Sequence, residues 1–72
     1  MNIKAVVGRN VRRYRELKGI SQEELAFDAK LHRTYVSGVE RGVRNPTVLI
    51  VAKLANALGV APCKLLEYNE TS

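Results

Sequence analysis

Apolar residues recur every three or four positions along almost the whole chain, and glycine, proline or a hydroxyl residue stands wherever the recurrence breaks. The pattern is all-α. A first helix is predicted from about Ile3 to Lys18, with Ile3, Val7, Val11, Tyr14 and, at its edge, Leu17 as the buried stripe and Gly19 as its end. Arg9, Arg12 and Arg13 fall on the other faces, where a solvated surface is the expected role. Ser21 and Glu24 form a capping box that starts a second helix, and Glu23 adds negative charge at its positive end. Leu25, Ala26 and Ala29 share one face of it. Lys30 and Leu31 then make a turn that lacks the glycine often found in such connections.

Residues 33 to 41, wound at about 100° per residue, put Val36 and Val39 on one side, Tyr35 at the border, and Thr34, Ser37, Gly38 and Arg41 opposite. Two short helices joined by a tight turn, the second carrying cations and hydroxyls outward, have the layout of a DNA-reading helix-turn-helix. Arg33 lies in the first turn, where its fork can pair with the two acceptors of a guanine. Thr34 and Ser37 can donate or accept, and the threonine methyl can meet a thymine methyl. Gly38 costs about 1 kcal/mol against alanine in mid-helix. Two readings of it stand: close approach of its backbone to DNA, or a tolerated surface glycine. In the loop that follows, Arg44 and Asn45 continue directly from the outward face and are assigned to phosphates.

A fourth helix is predicted from the Thr47 cap to Leu58, with Gly59 ending it and Val48, Val51, Leu54, Ala55 and Leu58 as its core stripe. Leu49, Ile50 and Ala57 fall outside that stripe and suggest a contact surface. A last short helix, Pro62 to Glu67, opens on proline and offers Leu65 and Leu66. The surplus apolar residues of these two helices, Leu49, Ile50, Ala57 and Leu66, are the candidate two-fold dimer interface. One domain is expected over residues 1 to 68, with residues 69 to 72 a frayed tail.

Composition narrows the partner. Twelve Lys and Arg against seven Asp and Glu give a net charge of +5, which favours a polyanion. No run approaches the roughly 20 apolar residues of a spanning helix, and the N-terminus has no cleavable signal pattern, so no membrane partner and a cytoplasmic location are expected. A single cysteine, Cys63, excludes an internal disulfide or a multi-cysteine zinc site, and its expected role is small apolar packing. No metal or cofactor is expected. One histidine and one cysteine without an adjacent acid-base partner, and no phosphate-cradling glycine loop, leave no catalytic residue to name.

From about residue 5 to residue 66 the sequence resembles the Cro and phage-repressor type of helix-turn-helix domain, the Xre family. The matching elements are Arg15 ahead of Gly19-Ile20-Ser21-Gln22, EELA at 23 to 26, RTYVSGVERG at 33 to 42, RNP at 44 to 46 and LANALGV at 54 to 60. Within the family, RTYVSGVER is most similar to the controller proteins of restriction-modification systems, small dimeric regulators that bind their own promoter. The resemblance implies a compact five-helix fold of the lambda-repressor type, with helices two and three as the reading unit. It implies Arg33, Thr34, Ser37 and Gly38 at base-facing positions, a phosphate contact for Gln22, and Tyr35, Arg41, Arg44 and Asn45 near the backbone or groove edge. It also implies an Arg15–Glu40 pair that bridges the first and third helices. His32 stands where a small hydroxyl residue commonly caps the third helix, so either the cap is weaker or the imidazole serves a phosphate. Ala61 likewise replaces a usual capping serine before the last helix.

The expected function is sequence-specific binding of a palindromic double-stranded operator by a homodimeric transcriptional regulator, with RNA polymerase an additional candidate partner. The competing expectation is an antitoxin-like module whose main role is to bind a partner protein. RNA is less favoured, because the A-form major groove is too narrow for such a helix and the chain lacks a solvent-facing aromatic platform.

Overall fold

The computed structural model describes residues 1–68, and the expected tail lies outside the described residues. Four α-helices follow one another: α1 (Ile3–Lys18), α2 (Gln22–Ala29), α3 (Arg33–Glu40) and α4 (Val48–Leu58), then a 3₁₀ segment (Pro62–Leu66). Each boundary has a local cause. The Asn2, Ser21 and Thr47 side chains accept from backbone N–H groups at the starts of α1, α2 and α4, while Gly19 and Gly59 close α1 and α4 in the left-handed conformation. The fifth element is a 3₁₀ segment rather than an α-helix, since Ala61 supplies no side-chain cap and five residues are too few to build an i→i+4 ladder.

Leu25, Leu54, Leu65, Val11, Val36 and Val39 are fully buried and form the centre of one core, with Ala26, Ala29 and Ala55 allowing helices to approach. Three residues expected in the core lie outside it. Leu17 is 72% exposed and Ile3 is exposed as well. The buried sector of α1 is rotated toward Val6 and Asn10 instead, because the 3₁₀ segment packs there: Asn10 Nδ2 donates to Leu65 O (2.9 Å) and Glu67 O (2.8 Å). Val48 is 87% exposed, since it begins α4, whose first buried residue is Val51. Cys63, expected to pack, is exposed. Of the apolar surplus, Leu49 and Leu66 are exposed, whereas Ile50 and Ala57 are half-buried against the core.

Gly8 fixes how α1 crosses α3, because a Cβ there would collide with the carbonyl oxygens of Val39 and Glu40. That approach sets the height of α3 above the core. Among the described residues, no helix is long and apolar enough to cross a membrane.

Candidate nucleic-acid interface

The reading unit is built from α2, a tight turn and α3. Ser21 Oγ accepts from Glu24 N (3.0 Å) and Glu24 Oε1 accepts from Ser21 N (3.0 Å), so the capping box is complete. The turn closes without glycine. Lys30 takes the left-handed conformation (φ 58°, ψ 46°), and Leu31 N donates to Ala26 O (2.8 Å), as in a glycine-ended helix. His32 begins α3 with no side-chain cap and is exposed, which leaves the first N–H groups of α3 open to an outside acceptor.

Val36 and Val39 bury one side of α3, and Arg33, Thr34 and Arg41 are exposed on the other, with Ser37 partly so. The angle of α3 is held by a part-buried ion pair. Arg15 Nε donates to Glu40 Oε2 (2.6 Å) and Arg15 Nη2 to Glu40 Oε1 (3.1 Å), while Arg15 Nη1 donates to Ile20 O (2.9 Å). The Glu40 side chain is only 4% exposed, so this bidentate geometry is what makes its charge tolerable there. The same hydrogen bond raises the pKa of Arg15 above its ordinary value.

Gln22, expected on a phosphate, donates through Nε2 to Glu40 Oε1 (3.0 Å) and so belongs to this network. Gly38 is buried, and the backbone approach it permits is internal: the stem of Arg44 crosses it. The Arg44 guanidinium lies 5.9 Å from the centroid of the half-buried Tyr35 ring. Asn45 is exposed, but it lines an apolar groove of about 230 Å³ with Ile3, Val7, Pro46, Val48, Val51 and Leu66, away from the centre of α3. Asn10 and Gly8 were not singled out from sequence. A mid-helix glycine next to the stripe was the available signal for Gly8, and a polar residue amid valines was all that marked Asn10.

A helix presented at a fixed angle, with an arginine at its start, hydroxyls along its outer face and further arginines at its end, has the layout of a DNA-binding helix-turn-helix. Residues 11–65 match the family described as Helix-turn-helix, and the chain belongs to that family of DNA-binding transcriptional regulators. It is 47% identical over 68 residues to the control protein C.BamHI of Bacillus amyloliquefaciens, covering 93% of this chain and 84% of that protein. Its fold is similar to the restriction-modification controller protein C.AhdI of Aeromonas hydrophila (TM-score 0.84, 47% identity, 86% of this chain and 94% of that one). It is similar also to the controller protein C.Esp1396I, solved as a tetramer with its natural 35 base-pair operator (TM-score 0.81, 33% identity, 88% of this chain and 83% of that one).

Proposed function

We propose that two copies of this chain bind a palindromic operator in the cell's cytoplasm, each laying α3 in a major groove, and that the operator lies in the promoter of the chain's own gene. The observation that carries this reading is the outward set Arg33, Thr34 and Ser37 on a helix whose angle is set by the part-buried Arg15–Glu40 pair. In it, Arg33 pairs with a guanine edge, and Thr34 and Ser37 touch neighbouring bases. His32, Tyr35, Arg41, Arg44 and Asn45 serve the backbone and groove edge. Gln22 does so through the second N–H of the amide whose first N–H meets Glu40. Pairing of copies rests on Leu66, which lines the apolar groove, and on the exposed Leu49 of α4, with the half-buried Ile50 and Ala57 as further contacts. The relatives that are controllers, and the operator-bound tetramer among them, support the choice of operator and assembly. Selection of bound fragments from random duplexes tests this: a two-fold symmetric site with half-sites about 10 bp apart, or a multiple of that turn, is expected. An asymmetric single site would contradict it.

One observation favours a protein partner in addition. Phe27 is 83% exposed on α2, with Glu23, Glu24 and Asp28 on the same helix, a surface that phosphates would avoid and a basic protein surface would suit. We assign the RNA polymerase contact to it. Phe27→Ser should leave operator binding intact and lower promoter activation in a reconstituted transcription assay; unchanged activation would remove that assignment.

A further inference from the structure

Arg44 departs from α3 in a fixed way. Val43 N donates to Gly38 O (3.0 Å) and Gly42 N to Val39 O (3.0 Å), a Schellman ending with Gly42 in the left-handed conformation (φ 77°). Arg44 N adds a third closure, to Gly38 O (3.2 Å). The backbone of Arg44 is thus tied to the carbonyl of the residue its side chain crosses. A Cβ on Gly38 would stand 2.6 Å from Arg44 Cγ, 3.4 Å from Nε and 3.5 Å from Cδ. Val36 and Val39 are fully buried and prevent α3 from shifting, so the arginine stem is what would have to leave. Gly38 lies on α3 between Thr34 and Tyr35 around the helix, so a stem crossing it brings the guanidinium over Tyr35 and onto the outward face.

We infer that Gly38 is a positioning residue for DNA binding: it seats Arg44 across α3 and against Tyr35, so that this arginine meets DNA already ordered, as part of the reading helix rather than as a loop end. The inference rests on the operator reading above and deepens it. Ordering before binding matters because a free arginine loses side-chain freedom on contact, and that loss is subtracted from affinity. The mid-helix glycine, unfavourable for α3 by itself, is then explained by the function of its neighbour.

The opposite signs of the two effects make the test selective. Gly38→Ala improves helix propensity, so its unfolding midpoint should equal or exceed that of the wild type. Its affinity for a duplex selected by the wild-type chain should nonetheless fall by about tenfold, as should that of Arg44→Ala, which should also flatten the salt dependence by about one unit of slope. The double variant should bind no more weakly than Arg44→Ala alone. Tyr35→Phe keeps the ring beneath the guanidinium but removes the hydroxyl that serves the groove edge, whereas Tyr35→Leu removes both; the extra loss of the leucine variant over the phenylalanine variant should vanish in the Arg44→Ala background. Gly38→Ala at wild-type affinity, a loss from Gly38→Ala that multiplies with that of Arg44→Ala, or an extra leucine loss that persists without Arg44, would overturn the inference. If Gly38→Ala does not fold, the Tyr35 cycle decides alone. A wild-type chain that binds no duplex overturns the operator reading and this inference with it, which separates the two failures.

Discussion

Glu40 carries a charge at a site where an unpaired carboxylate would not be tolerated, and three donors from two residues converge on it: two from Arg15 and one from Gln22. The value of that arrangement lies less in net stability than in orientation, since a buried pair roughly offsets its own desolvation. Removing one partner is different. Glu40→Ala leaves Arg15 half-enclosed without its counter-charge and is expected to cost about 3–5 kcal/mol, read from urea denaturation. Glu40→Gln, which keeps one acceptor, should cost less. Asn10 illustrates the same logic without charge, as its amide satisfies the carbonyls of both Leu65 and Glu67. Asn10→Ala should cost about 1–3 kcal/mol by leaving those carbonyls unpaired, again by chemical denaturation.

At the scale of elements, legibility followed how local the cause was. The capping box at Ser21, the glycine stops and the inward set Leu25, Ala29, Val36 and Val39 depend on near neighbours in sequence, and the structure places each as the spacing implies. Leu17, Ile3 and Val48 show the limit. Helical spacing names a face, but whether anything lies against that face at a given height depends on where α4 and the 3₁₀ segment end, which periodicity does not carry. The candidate site divided in the same way. The outward side of α3 was readable, whereas the attachment of Gln22 to Glu40 and of Arg44 to Gly38 joins residues by tertiary geometry. The α2–α3 turn offers a prediction at this scale. Lys30 adopts the left-handed conformation without being glycine, and Lys30→Gly should raise stability by up to about 1 kcal/mol, detectable as a higher unfolding midpoint.

At the scale of the molecule, the described residues extend 30 × 22 × 18 Å, shorter in every direction than the roughly 34 Å that separates successive major grooves on one face of DNA. Two reading helices one turn apart therefore require two copies, and the exposed Leu49 and Leu66 are proposed to join them. Leu49→Lys should shift the monomer–dimer equilibrium toward monomer in sedimentation, with operator affinity falling in parallel and the unfolding midpoint little changed. If a dimer neutralises about eight phosphates, the logarithm of affinity should fall against that of salt with a slope of about −7. The central claim, that the outward face of α3 reads sequence rather than merely charge, is tested most directly by the ratio of specific to non-specific binding for Arg33→Ala. The account predicts a loss of about 1–3 kcal/mol on the selected operator and relaxed preference at one base step, with non-specific binding far less affected; equal losses on both duplexes would contradict it.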